Sequence, residues 1–263
     1  MNALPDNVAP RSWHQYLEWF HGRRPGITEE ILARAVGDVG GMNPYKWALQ
    51  AISSESRVLD LACGSAPLAS AGTIHHWVGI DRSTAELLRA REHTAAPLVQ
   101  GDASALPFAS GSFDVVACVM GLMVFEDVDV ALAEIHRVLR STGTAVFLLP
   151  GSYPLRMHDR LRYLRVLIAL RSFGPKYPNR VHLGRLGARL GQLGLSAAED
   201  DRERFSFPIP DEASGRRFIE SLYAPGRSER RVERAVAIAR RWIGSEIGVP
   251  LRRVVCVREP RGG

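Results

Sequence analysis

Three aspartates, each closing a short apolar run, are the residues best placed to do chemistry together. Val58, Leu59, Asp60 and Leu61 lead straight into the small, turn-prone Ala62, Cys63, Gly64, Ser65 and Ala66. A second run from Trp77 to Ile80 stops on Asp81, and a third, Pro97 to Val99, reaches Gly101-Asp102. A carboxylate in such a place accepts from hydroxyl and amino groups, and an acid ending a second strand sits where the two hydroxyls of a ribose are held. The loop from Ala62 to Ala66 can bring its backbone N–H groups close to a ligand, and Pro67 can open a helix whose N-terminal end faces the same space. The combination points to a nucleoside site. A dinucleotide is disfavoured, because its pyrophosphate calls for three glycines where this loop offers Ala62, Gly64 and Ala66. Any one of the acids alone could be a helix cap or turn former; three at successive run ends are harder to explain that way.

The elements that must position these acids alternate. After Asp81, Ser83 or Thr84 caps a helix carrying Leu87 and Leu88. Phe113 to Met120 is an apolar fourth strand, Asp127 opens a helix with Leu132, Ile135, Val138 and Leu139 on one face, Gly143 ends it, and Ala145 to Leu149 is a fifth strand. Strand and helix in alternation build a parallel sheet with right-handed crossovers, whose ligands bind beyond the carboxyl ends of the strands. Asp60, Asp81, Asp102 and Met120 all fall at such ends.

A leader precedes this core. Met1 to Pro10 reads as a tail, Ser12 and Gln15 fit a capping box for a helix carrying Trp13, Tyr16, Leu17 and Phe20 and ended by Gly22, Thr28 caps a helix through about Val36, and Pro44 to Ile52 forms a third. Beyond Pro150, Leu155 to Arg171 reads as a helix with Leu161, Leu164 and Ile168 inward and Arg160, Arg162, Arg165 and Arg171 mostly outward. Leu183, Leu186, Leu190 and Leu193 stripe another, Phe205 to Ile209 is strand-like, helices cover about Glu212 to Tyr223 and Ser228 to Ile243, and Leu251 to Val257 is a last strand. Neither a repeat nor a low-complexity linker divides the chain. One domain is expected, with a helical leader over 1–54, a cofactor-binding core over 55–150 and lid helices and last strands over 151–263.

The 263 residues suit one large α/β domain with additions. No apolar run approaches the roughly 18 residues of a membrane span and the first residues lack a signal-peptide core, so a cytoplasmic protein without a membrane partner is expected. Cys63, Cys118 and Cys256 show no metal-ligand spacing, and no metal is expected. Residues 1–150 hold 11 Lys+Arg against 16 Asp+Glu, whereas residues 151–263 hold 23 against 12, net +11. A basic half suits an anionic small molecule or RNA. Nearly all of this charge is Arg, however, with Lys46 and Lys176 the only lysines, a bias that codon preference alone produces.

The run Val58 to Ala66, followed by Gly79-Ile-Asp81, Gly101-Asp-Ala103, Leu106-Pro-Phe108, Ser112-Phe-Asp-Val-Val116 and Ala133-Glu-Ile-His-Arg-Val-Leu139, resembles the class I methyltransferases that use S-adenosylmethionine. The resemblance covers about residues 55–150. It implies a Rossmann-like, doubly wound, mostly parallel seven-stranded α/β sheet with its last strand antiparallel. It also implies that Asp60, Ala62, Cys63 and Gly64 hold the methionine part of S-adenosylmethionine, that Asp81 takes the ribose hydroxyls with Arg82 beside the adenine, that Gly101, Asp102 and Ala103 hold the adenine, and that Met120 lies near the sulfonium. Two departures stand out: Ala66 replaces the last glycine of the usual loop, and Met123-Val124 stands where many relatives carry a histidine pair. Weak candidates for a general base are His21, His158 and Glu126, with His14, His182 and Asp127 behind them. Asn43-Pro44-Tyr45 lies ahead of the first strand, the wrong place for amino-group methylation of adenine or glutamine, and Cys118 follows Ala117 rather than the proline of a pyrimidine-carbon methylase. The expected activity is methyl transfer to oxygen, nitrogen or carbon of a small molecule in specialised metabolism. RNA methylation through the Arg-rich half, or cofactor binding without catalysis, are the alternatives.

Overall fold

The computed structural model describes residues 12–172, 174, 177–179 and 186–259. The Met1–Pro10 tail, His182 and Leu183 lie outside the described residues. The chain forms two compact units, one of Met1–Pro44, Gly151–Lys176 and Glu203–Leu251, the other of Tyr45–Pro150, Tyr177–Arg202 and Arg252–Gly263.

The former unit begins with α1 (Trp13–Arg23), capped by Ser12, whose Oγ accepts from the Gln15 N–H at 3.2 Å. The helix runs one residue past Gly22. Its buried side carries Tyr16, Leu17 and Phe20, and the rings of Tyr16 and Phe20 join Tyr223 in an aromatic cluster. Gly26, in the left-handed region at φ 75°, rather than Thr28, caps α2 (Ile27–Arg34). The helix stops short of Val36 because Val36–Gly37 is a strand, β1, pairing antiparallel with a later strand through Val36–Ser206 and Gly37–Phe205. A β-branched residue followed by glycine favours this extended pairing over another helical turn.

After α3 (Pro44–Leu49) the alternating unit follows: β2 (Arg57–Leu61), α4 (Pro67–Ala71), β3 (His76–Asp81), α5 (Thr84–Arg91), β4 (Leu98–Gln100), β5 (Phe113–Val119), α6 (Val128–Val138) and β6 (Leu139–Pro150). Strands β2, β3, β4, β5 and β6 pair in parallel. Gly143 does not end a helix; α6 stops at Val138, and β6 passes through Gly143 beside a register shift between Phe113 and Val115. The apolar face of α6, with Leu132, Ile135 and Val138, packs on the sheet residues Leu59, Val116 and Phe147.

The remaining elements are α7 (Met157–Leu170), α8 (Leu186–Gln192), β7 (Leu195–Ile209), α9 (Glu212–Ser221), α10 (Glu229–Ala239), a single 3₁₀ turn at Arg240–Trp242, and β8 (Ser245–Arg258). The hydrogen-bonded strand order is β1-β7-β8-β6-β5-β2-β3-β4, so the sheet has eight strands among the described residues rather than the expected seven. The additional strand is the two-residue β1, too short to leave a periodic signal. Strands β7 and β8 run antiparallel, with Ser196 bonded to Val257, Asp200 to Arg252 and Ile209 to Gly244. No helix among the described residues is long and apolar enough to cross a membrane.

Candidate functional site

The ends of β2, β3, β4 and β5 bring most of the named residues together in one unit. Asp60 is buried, paired through the backbone with Gly79 of β3 and Ala117 of β5. The Asp81 carboxylate accepts from the Gly64 N–H at 2.9 Å through one oxygen and from the Ser83 N–H at 2.8 Å through the other. The β3 acid thus fixes the loop after β2, while Ser83 Oγ caps α5 by accepting from the Glu86 N–H. Ser83 holds both in register, a role signalled in the sequence only by a serine two places after the acid.

The loop itself is backbone-strained. Ala62, Ala66 and Met120 have φ of 57°, 60° and 59°, three of the four non-glycine residues with positive φ among those described, and Gly64 lies at 54°. Such conformations disfavour residues bearing a Cβ and concentrate at functional sites. Ala66 caps α4, so the glycine usual in the resembling family answers a left-handed backbone that this chain also adopts, with a methyl group. Because α4 has only five residues, holding a ligand falls to the loop backbone rather than to a helix dipole. A Cβ added at Gly121 would lie 2.7 Å from the Ala62 Cβ, so close approach of the β5 turn to the loop requires glycine there.

At the third strand end, Gly101 donates its N–H to Asp81 O at 3.1 Å, and Asp102 Oδ1 accepts from the Ser104 N–H and hydroxyl at 2.9 and 2.7 Å. Asp102 Oδ2 lies 3.7 Å from Arg82 Nη2, joining the second and third acid positions. Ala103 is half-buried next to this pair. The following loop is clamped by α6: Glu134 Oε2 accepts from the Leu106 N–H at 2.7 Å, while Arg137 donates to Phe108 O at 2.7 Å, to Leu106 O at 2.9 Å and to Glu134. That hydrogen bond from Arg137 first holds the Glu134 carboxyl below its ordinary range.

Cys63 and Cys118 are buried thiols. Burial, then the charges of Asp60 and Asp81, push the Cys118 thiol well above its ordinary value, which leaves it a packing residue and places it in the negative field of the two acids. No group of three or more metal-binding side chains occurs among the described residues. Of the proposed bases, Glu126 is exposed in the turn past β5. His21 and His158 belong to the other unit: the His21 Nε2 lies 3.2 Å from the Tyr223 hydroxyl, and His158, exposed on α7, lies 3.3 Å from Asp159 Oδ1.

The donor set fits a nucleoside cofactor carrying hydroxyl, amino and cationic groups. Three carboxylates supply acceptors and negative potential, small loop residues allow backbone approach, and no cluster of cations suited to a phosphate lies among these residues.

Residues 59–147 match the methyltransferase domain family. The demethylmenaquinone methyltransferase of Streptomyces avermitilis is 39% identical over 95 residues, covering 34% of this chain and 40% of the relative. That of Mycolicibacterium gilvum is 34% identical over 139 residues, 51% of this chain and 59% of the relative. The chain thus spans about half the length of these curated relatives. Among solved structures, the [4+2]-cyclase SpnF superposes with TM-score 0.59 at 16% identity, over 97% of this chain and 98% of that one. A Thermotoga maritima protein described as an S-adenosylmethionine-dependent methyltransferase does so with TM-score 0.53 at 15% identity, over 94% and 100%. At such identities the likeness is one of fold.

Proposed function

We propose that this chain, whose residues 59–147 match the methyltransferase domain family, is a class I S-adenosylmethionine-dependent methyltransferase that moves a methyl group from that cofactor to oxygen, nitrogen or carbon of a small molecule in specialised metabolism. The observation that carries the reading is the run of Asp60, Asp81 and Asp102 at neighbouring strand ends, with a left-handed Ala62-to-Ala66 loop tied to Asp81. When bound, S-adenosylmethionine supplies a methyl group on a sulfonium that is already a good leaving group. The chain's part is positioning, which in the best cases is worth about 7–11 kcal/mol of barrier. In this assignment Asp81 accepts from the ribose hydroxyls, Arg82, Gly101, Asp102 and Ala103 frame the adenine, and Asp60, Ala62, Cys63, Gly64 and Met120 hold the methionine end.

The curated relatives are named for demethylmenaquinone, which favours an acceptor with an aromatic or quinone ring over a nucleic acid. A cytoplasmic setting belongs to the same proposal. Incubation with S-adenosylmethionine and a panel of phenols, quinols and amines, read by mass spectrometry, tests it: a product heavier by one methylene with matching S-adenosylhomocysteine is expected, and cofactor binding without turnover of any acceptor would contradict it. A second reading, cofactor binding without methyl transfer, gains weight because a fold neighbour is described as a cyclase, and fold alone does not dictate the chemistry.

A further inference from the structure

We propose that the outward face of α7 docks on an anionic lipid bilayer surface and holds the protein peripherally at a membrane. Four of its apolar residues do not face the protein. Met157, Leu161, Leu164 and Ile168 are 69%, 48%, 53% and 66% exposed, while the helix buries Asp159, Val166 and Leu170. At about 100° per residue these four fall within about 60° of arc, on the side opposite the buried residues. The stripe is thus a second apolar face on a helix whose packing is already satisfied. Tyr153, 53% exposed just ahead of α7, adds an amphipathic ring of the type that sits at a membrane interface.

The flanks identify the partner. Arg160 and Arg165, both exposed, lie on either side of the stripe and have no ion-pair partner among the described residues. Arg171 follows at the C-terminal end, and the sole acid of α7, Asp159, is buried against Arg204. The neighbouring α10 exposes Arg230 and Arg234, while its Glu233 is tied to Arg216. An apolar stripe bordered by arginine, on a helix that exposes no acid, matches acyl chains beneath anionic headgroups, although α10 also exposes Glu229. Nucleic acid would set phosphates against the apolar centre, and a two-fold copy of the same face would bring its arginine edges towards each other. At 14 residues the helix lies on the surface and does not span it. The inference does not depend on the methyl-transfer reading.

The test is flotation of the full chain with vesicles of phosphatidylglycerol and phosphatidylcholine in equal parts. Expected are co-flotation with these vesicles and not with phosphatidylcholine alone, and release as salt rises from about 0.1 M to about 1 M, where the Debye length falls from about 10 Å to about 3 Å. Binding should drop roughly tenfold or more in Leu161→Gln/Leu164→Gln/Ile168→Gln, and in Arg160→Gln/Arg165→Gln, which leaves the apolar face intact. Circular dichroism checks that both variants fold, and the arginine pair alone decides the matter if the triple variant does not. No flotation, equal binding to uncharged vesicles, or undiminished binding by the folded variants overturns the proposal. So does a wild-type dimer that ignores vesicles and that the triple variant dissociates, which would make the face a contact between copies.

Discussion

Ala66 shows how much one methyl group decides at the residue scale. Its φ of 60° is a conformation that costs a residue with a Cβ about 1–2 kcal/mol, and it is fully buried. Replacing it by glycine removes that cost and adds about 0.5–1 kcal/mol of chain entropy to be lost on folding. Ala66→Gly is therefore expected to raise stability by up to about 1 kcal/mol in urea unfolding, and to tighten S-adenosylmethionine binding in calorimetry; a drop in stability would show that the alanine methyl packs better than its backbone is strained. The Asp159–Arg204 pair poses a different question. Their side chains are 0% and 2% exposed, with Nε to Oδ2 at 2.7 Å, and Asp159 also accepts from the Gly248 and Arg156 N–H groups. Burial pushes the Asp159 carboxyl up, but Arg204 and these N–H groups outweigh it and hold the group below its ordinary value. A depressed carboxyl contributes stability above its unfolded pKa of about 3.9, lost as pH falls through the lower folded value. Asp159→Ala leaves Arg204 with Asp38 and Glu246 but takes the acceptor from the Gly248 and Arg156 N–H groups; it should cost about 1–3 kcal/mol at neutral pH, and the deficit against wild type should shrink below about pH 4. A deficit that stays constant down to acid pH contradicts this.

At the scale of elements, the α6 clamp ties Ala133-Glu-Ile-His-Arg-Val-Leu139 to Leu106-Pro-Phe108, two motifs distant in sequence. Arg137→Lys keeps the charge but cannot span both carbonyls and Glu134, so it should weaken cofactor binding severalfold by loosening the chain beyond Asp102, with no ligand-facing group altered. Unchanged affinity would show that the loop holds itself. The parallel core was legible because its buried strands are continuous apolar runs ending in acids, and because Ser12, Ser83 and Asp127 cap helices in the structure as their spacing indicates. What escaped was set by tertiary context. Periodicity says that Leu161, Leu164 and Ile168 share a face but not which way it points, and in the structure Asp159, Val166 and Leu170 take the buried side while that face meets solvent. The strand Val36–Gly37 exists only through its pairing with β7, and nothing in the spacing of Ala62, Ala66 and Met120 announces their left-handed backbones.

For the whole molecule, part of the lopsided charge is paired internally. Arg204 meets Asp38, Asp159 and Glu246; Arg216 meets Glu220 and Glu233; Arg252 meets Asp200; and Arg253 meets Glu199 and Asp201. Apart from Asp38 these acids belong to residues 151–263 and are already subtracted in its net +11, so the excess resides in the remaining arginines. Binding of structured RNA should be weak at physiological salt and absent from footprinting; tight, steeply salt-dependent binding would revive the RNA reading. The cations outside such pairs gather on α7 and α10, where the apolar stripe suits lipid better. The acid that joins the loop to β3, Asp81, is the centre of the assigned site. Calorimetric titration of S-adenosylmethionine into the wild-type chain and Asp81→Asn, the latter shown to be folded, tests it most directly. Saturable one-site binding by the wild type and affinity lower by roughly tenfold or more in the variant are predicted, the loss expected for hydrogen bonds to a charged group. Equal affinities, or no binding by the wild type, would contradict it.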